Sequence, residues 1–161
     1  MASKGKKIAD LVSAWLNERD GYTDDCGFQP WCEPFTSQAC WRPKVPKVAG
    51  QLNVYVAPID WDFLSEERDR CGCPRVFETH VVLVEKPVGK DPKEEHNTER
   101  LDAVIGLAEQ IAAAWCSFRG QLDHGITMYT LPEPAPYFNE GYLDRHGLII
   151  ASVALFFKCN G

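Results

Sequence analysis

Cysteines, histidines and clustered carboxylates are the residues of this chain whose types could do chemistry. The chain has 161 residues, with an odd count of seven cysteines and four histidines. The cysteines are Cys26, Cys32, Cys40, Cys71, Cys73, Cys116 and Cys159, and the histidines are His80, His96, His124 and His146. An odd number of cysteines disfavours a framework of paired disulfides. We therefore expect reduced, partly buried thiols.

The spacing of these side chains does not match a metal site. Structural zinc usually takes two pairs of ligands, with two or more residues between the cysteines of a pair. Cys71 and Cys73 have one residue between them, and the sequence contains no second close pair. His80, within an apolar run, is more typical of a hydrogen-bonded structural histidine than of a ligand. We predict no metal and no cofactor.

Two cysteine–histidine pairs could supply a thiol nucleophile with its base. They are Cys116 with His124 and Cys71 with His80, and such pairs arise by chance in a chain this rich in both residues. The sequence has no glycine-rich phosphate loop, no nucleophile elbow and no two-histidine helix motif. We predict a protein without catalytic residues, and the alternative is a small metal- or thiol-dependent hydrolase.

Most of the clustered carboxylates lie in one charged arm, residues 59–74. Carboxylates bind a divalent metal or act as acid and base only where they converge on a pocket. A run of mixed charge is more typical of a solvated turn or arm. Within the arm lie five acidic residues, two arginines and two aromatic residues: Asp60, Asp62, Glu66, Glu67, Asp69, Arg68, Arg70, Trp61 and Phe63.

Hydrophobic periodicity predicts the elements that position these residues. Apolar stripes at helical spacing predict helices over residues 6–20 and 98–118. Alternation over 52–57 and apolar runs over 75–86 and 146–158 predict strands, with a short strand near 127–131. The predicted fold class is α+β, with one small mixed or antiparallel sheet of about four strands. An N-terminal helix and one long central helix flank the sheet, in a single domain over residues 1–161.

Two long loops, about 22–50 and 121–144, interrupt this plan, and loops of such length tend to be functional. In the first loop we expect Trp31, Phe35 and Trp41 to anchor the segment to the core or to a neighbouring chain. Basic residues form two small clusters that either meet an acidic partner surface or are simply solvated: Lys4, Lys6 and Lys7, and Arg42, Lys44 and Lys47. The second loop is aromatic, with Tyr129, Tyr137, Phe138 and Tyr142.

Composition narrows the class of protein. Hydrophobic residues make up 45% and charged residues 25%, which is ordinary for a soluble globular domain. The formal net charge of −6 argues against broad binding to nucleic acid backbones. The longest apolar stretch is too short to span a bilayer, and no continuous apolar run follows the basic N-terminus. We therefore expect no membrane partner, no signal peptide and synthesis in a cytoplasm.

Weak motifs along most of the chain resemble those of one family. They comprise the helix over 8–16, Pro34-Phe35-Thr36, Trp41-Arg42-Pro43 and the strand over 52–58. The arm with Arg68 and Arg70 follows, then the strand over 77–86, Leu101, Leu107, Glu109 and Ile111 of the main helix, and Phe156-Phe157-Lys158. This layout resembles the tail terminator, or tail-completion, proteins of long-tailed bacteriophages and related neck proteins. The cysteine-bearing segment 22–32 departs from the shorter forms expected in that family.

The resemblance implies a structural virion protein of the tail or neck, assembled in the host cytoplasm. Such subunits close into a homo-oligomeric ring, commonly a hexamer, at the head-proximal end of the tail. The ring ends growth of the tail tube, joins the tail-tube protein to the head–tail connector or stopper protein, and lets DNA pass without specific binding. The alternatives are a small neck or head-completion adaptor, and a bacterial adaptor or regulatory domain of ferredoxin-like layout.

A head-to-tail ring needs two different surfaces on each subunit. The candidate interface residues lie in the charged arm and the second loop: Trp61, Phe63, Arg68, Arg70, Tyr129, Tyr137, Phe138 and Tyr142. A negatively charged lumen would repel DNA and let it slide. The candidate lumen-facing residues are the acids of the arm: Asp60, Asp62, Glu66, Glu67 and Asp69.

Overall fold

One layer of buried apolar side chains lies between two helices and the inner face of a curled β-sheet. The structure is a computed structural model and describes residues 3–58, 76–89, 94–118, 121–123, 125–128, 137–138 and 147–159, with 137–138 described by backbone alone. Within these ranges the chain forms two helices and nine strands. The core draws apolar residues from both helices and from the central strands.

The two helices lie where the apolar stripes predict helices, with boundaries shifted by a few residues. Helix α1 spans Lys4–Asn17, and its cap residue Ser3 accepts a hydrogen bond from the backbone N of Lys6 at 3.2 Å. Helix α2 spans Glu95–Cys116. In the described residues, no helix has both the length and the apolar character that crossing a membrane requires.

The strands form one large sheet and one separate hairpin. Their bounds are β1 Gly21–Asp24, β2 Gly27–Pro30, β3 Ser37–Ala39, β4 Leu52–Pro58, β5 Val76–Glu85, β6 Gln121–Asp123, β7 Ile126–Met128, β8 Tyr137–Phe138 and β9 Ile149–Cys159. Strands β1 and β2 pair with each other. The large sheet has the order β3-β4-β5-β9-β7-β6, and β8 pairs with β9 beside that path. Strands β3 and β4 are parallel, whereas the other described pairs are antiparallel.

The predicted fold class, with one small sheet of about four strands beside a long central helix, is wrong. The structure is mostly β, because short strands extend the sheet at both edges and curl it into a half-barrel. The strands that the sequence predicts, β4, β5, β7 and β9, form only part of it. The additional strands have two to four residues each. Segments this short do not show a measurable hydrophobic period, and the neighbouring strands determine their pairing.

Cross-strand register separates the two faces of the sheet. Val54, Leu83 and Ala151 pair in one row across β4, β5 and β9, and all three are buried. Both helices lie on this inner face, where the ring of Trp115 in α2 packs against Phe157 of β9 with centroids 5.7 Å apart. Helix α1 contacts β3 at one edge of the sheet and β6 at the other. The sheet therefore curls around α1.

A buried ion cluster joins the last residue of β5 to α2 and to the segment after the hairpin. The register of β5 turns Glu85 toward the core, and its side chain has no exposed surface. Arg100 of α2 donates from Nε to Glu85 Oε2 at 2.7 Å and from Nη2 to Glu33 Oε2 at 2.8 Å. The hydrogen bonds that Arg100 donates to Glu33 and then to Glu85 raise its pKa, so this guanidinium stays charged at any working pH.

Replacing Arg100 by Met would leave Glu85 as a buried carboxylate without a cation. We expect the free energy of unfolding to fall by about 3 kcal/mol or more, because an unpaired buried charge is strongly destabilising. Urea denaturation measures this loss. The matched variant Glu33→Gln keeps the Arg100–Glu85 pair and changes a partly exposed carboxylate, so its loss should stay below about 1.5 kcal/mol.

The double variant Glu85→Leu with Arg100→Met separates the charge effect from packing. Because it removes both charges, it should recover most of the stability that Arg100→Met loses. A double variant as unstable as Arg100→Met alone would show that packing, and not the unpaired carboxylate, causes the loss.

Candidate functional site: a basic loop and two grooves

Most of the residues that the sequence predicts for an interface or a lumen fall outside the described residues. These are Asp60, Asp62, Glu66, Glu67, Asp69, Trp61, Phe63, Arg68, Arg70, Tyr129 and Tyr142. Tyr137 and Phe138 form strand β8, whose backbone pairs with Ser152 and Ala151 of β9. The predicted roles of all these residues therefore remain predictions.

The cysteine–histidine pairs are also only partly described. His124 and Cys71 lie outside the described residues, while Cys116 lies in the last turn of α2. His80 Nε2 lies 3.1 Å from Glu78 Oε1 on the same strand, an arrangement typical of a structural histidine. Among the residues that the structure describes, no group of three or more His, Cys, Asp or Glu side chains could hold a metal ion.

Large apolar side chains that remain exposed identify two surfaces. Over the described ranges these residues are Phe28, Trp41, Val45, Val48 and Val88, with exposed fractions of 63%, 58%, 55%, 61% and 43%. Phe28 belongs to the β1–β2 hairpin. The other four lie in or beside residues 41–48, which we call the basic loop. Apolar groups that a chain leaves in water are concentrated at interaction sites.

The basic loop is held at both ends while its side chains face solvent. Where it begins, the backbone N of Cys40 donates to Val56 O at 3.0 Å. Where it ends, the backbone N of Gly50 donates to Lys86 O at 2.7 Å, which brings Gly50 near Val88. Pro46 is buried, but the other residues of the loop are exposed, including its three cations Arg42, Lys44 and Lys47. Trp41 is thus an outward-facing residue and not a core anchor.

The second surface is an aromatic groove of about 520 Å³ between the hairpin and the C-terminal ends of both helices. Its aromatic lining includes Trp15, Tyr22, Phe28 and Phe118. Trp15 stacks beside Trp115 with ring centroids 4.1 Å apart, and the guanidinium of Arg19 lies 3.8 Å from the centroid of the Trp15 ring. This volume lies within the range of small-molecule sites, about 300–1,000 Å³.

A smaller acidic groove of about 320 Å³ adjoins the aromatic groove, and the two share Ser117. Its lining includes Asp24, Asp25, Glu109 and Cys116. Asp24 Oδ1 accepts a hydrogen bond from the backbone N of Cys26 at 2.8 Å, which shapes the hairpin turn. Together with Asp20 of the aromatic groove, four carboxylates and one guanidinium surround the two grooves.

Residues 31–35 hold the hairpin in place over α2. Trp31 Nε1 donates to Arg19 O at 3.1 Å, and its ring stacks on Tyr22 with centroids 5.7 Å apart. The backbone N of Cys32 donates to Gln110 Oε1 of α2 at 2.8 Å. Trp31 and Phe35 are partly buried against the core. The first loop therefore uses two of its three predicted aromatic anchors to position the groove.

Sequence reasoning missed the hairpin and with it both grooves. A turn signal was present, because Asp24-Asp25-Cys26-Gly27 combines an aspartate with a glycine between two short polar segments. Gly27 has a positive φ of 106°, a conformation that glycine readily adopts. Neither a protein-family model, nor a curated protein, nor a solved structure matches this chain.

Two glycines should respond oppositely to the same substitution. A Cβ at Gly21 would collide with the carbonyl oxygen of Gln29 across the hairpin, so Gly21→Ala should lower the free energy of unfolding by about 1–3 kcal/mol. Gly106 lies inside α2 with open space around its Cα, and Gly106→Ala should raise that free energy by about 0.5–1 kcal/mol. Urea denaturation of both variants tests this, and equal signs would contradict the hairpin geometry.

The reactivity of the Cys32 thiol depends on the charge of Glu33, a member of the ion cluster. Burial, and then the negative charge of Glu33, raise its pKa above the ordinary value. Near pH 8 little thiolate is therefore present, and alkylation should be slow. Glu33→Gln removes the charge and should speed the reaction, with exposed Cys26 as the internal reference. Mass spectrometry of alkylated peptides measures both rates.

A control at high pH separates charge from loosening of the segment. Once the pH is high enough for the alkylation rate of each protein to reach its plateau, the thiol is ionised in both, so a charge effect should vanish. A rate difference that persists there would mean that Glu33→Gln had opened the segment around Cys32.

Proposed function

We propose that this chain is a structural subunit of a long-tailed bacteriophage virion, a tail terminator that works by binding copies of itself and neighbouring virion proteins. Its ring would end growth of the tail tube and join the tail to the head connector. The observation that supports self-assembly is the basic loop, which carries three of the five large apolar side chains that are exposed in the described residues. The position at the end of the tail rests on the sequence resemblance.

The physical argument for a partner concerns the energy of the exposed loop. Removing a large apolar side chain from water stabilises a contact by about 1.5–3 kcal/mol when it is fully buried. Trp41, Val45 and Val48 are each exposed by more than half. Aromatic residues and arginine are enriched among the residues that dominate binding energy. The dipeptide Trp41-Arg42 at the start of the loop has this character.

The charge of the chain is compatible with a channel for DNA. A net charge of −6 gives no general attraction for phosphate groups. The acidic residues of the arm, if they line the lumen, would repel DNA and allow it to slide. Tail-tube protein and head–tail connector would then bind the two ends of the ring.

Gold-labelled antibody against this chain, imaged on purified virions, tests the proposal. We expect label at the junction between head and tail, and mass spectrometry of the same particles should give about six copies per virion. Label at the distal tip, or absence of the chain from the particles, would refute it. Label on tail-less heads would favour the head-completion adaptor instead.

A further inference from the structure

We propose that the basic loop of one copy binds across the aromatic and acidic grooves of the next copy, with Trp41 in the aromatic groove and the loop cations against the acidic groove. This inference rests on the proposed function in one respect, which is that the chain assembles with itself. It adds the two surfaces that form the joint and the chemistry of each.

The two surfaces match in apolar character. Four of the five exposed large apolar residues in the described ranges belong to the basic loop or to Val88 beside it. The fifth, Phe28, lines the aromatic groove. An indole entering beside Phe28 would meet an exposed aromatic ring, while the guanidinium of Arg19 already covers the Trp15 ring. Pairs of rings stabilise each other beyond the area that they bury. The groove has the volume to admit such a side chain.

The two surfaces also match in charge. Arg42, Lys44 and Lys47 of the loop are exposed. Asp24, Asp25 and Glu109 line the acidic groove, and Asp20 lines the edge of the aromatic groove. Because both sets of charges remain near solvent, their attraction would mainly steer the encounter and select the orientation. In an acidic chain, this segregation of charge favours one relative orientation of two copies.

The end of the basic loop lies far from the grooves of its own chain. The end of the loop lies beside Val88, whose carbonyl accepts a hydrogen bond from Asn97 Nδ2 in the first turn of α2 at 3.1 Å. The grooves lie at the opposite end of α2, around Ala114 and Ser117. Helix α2 has 22 residues and so is roughly 33 Å long. We therefore place the joint between copies, head to tail, as in the proposed ring.

Charge reversal on each surface tests the joint. The loop variant is Lys44→Glu with Lys47→Glu, and the groove variant is Asp25→Lys with Glu109→Lys. The matched control, Glu99→Lys with Asp102→Lys, reverses two exposed acids elsewhere on α2. Sedimentation velocity of the full chain, at concentrations up to about 1 mM and low salt, measures self-association. We expect each surface variant to weaken it about tenfold or more, a loss of about 1.4 kcal/mol per joint, and the control to leave it unchanged.

Mixing the two surface variants gives the decisive result. In an equimolar mixture the acidic loop of one faces the basic groove of the other, while the basic loop of the second faces the native groove of the first. We expect association to return to within about threefold of the native chain. Circular dichroism of each variant confirms that it is folded.

Several results would overturn the joint. They are a native chain that stays monomeric throughout this range, a mixture as weak as its components, or a control as damaging as the surface variants. Restored association in the mixture, together with absence of the chain from virions, would leave the joint standing and refute the tail function. Label at the neck, with no rescue in the mixture, would support the tail function and refute the joint.

Discussion

A buried carboxylate at the end of strand β5 sets the constraint on which the candidate site depends. The register that places Leu83 in the core also places Glu85 there. A carboxylate without solvent requires a cation and further hydrogen bonds. Arg100 supplies them and uses the rest of its guanidinium for Glu33. One side chain thereby joins the central sheet, helix α2 and the segment after the hairpin.

From this cluster, a chain of contacts leads to the grooves. Arg100 donates a hydrogen bond to Glu33. The backbone N of the preceding residue, Cys32, donates to Gln110, which lies further along α2. Trp31 then stacks on Tyr22, and its Nε1 donates a hydrogen bond to the carbonyl oxygen of Arg19. The hairpin is a two-stranded sheet of four-residue strands, which is marginal in isolation. Its position over α2 is therefore a consequence of tertiary contacts and not of its own pairing.

The sequence predicts the elements that have a strong period and misses those that depend on neighbours. The stripe of Ile8, Val12 and Leu16 predicts α1, and these side chains are almost fully buried. The predicted helix over 6–20 ends too late, because Gly21 opens strand β1 instead of following the helix. Strands β1, β2, β3, β6 and β8 are too short to show a pattern. The size of the sheet, and hence the fold class, could not be read from periodicity.

The alternation along β5 contains a signal for the buried ion cluster at Glu85. Val81 and Leu83 point to the core, so the next residue of the same face must do so too, and it is charged. That conflict predicts a buried cation beside Glu85. It does not identify the partners, because Arg100 lies 15 residues from Glu85 and 67 residues from Glu33 in the sequence. The cations of the basic loop are evident in the sequence, whereas the exposure of Trp41 is a property of the folded chain.

The strength required of the proposed joint follows from the geometry of the closed ring that we propose. A loop–groove contact between two copies has one aromatic anchor and a rim of solvated charges, which suits modest affinity. In a ring every copy makes two such contacts, and the last one closes within the assembly at high effective concentration. A joint that is weak between two free copies can therefore hold a complete ring. Because the charges stay near solvent, salt should weaken assembly gradually. Loss of the aromatic contact would remove the part of the binding free energy that salt does not screen.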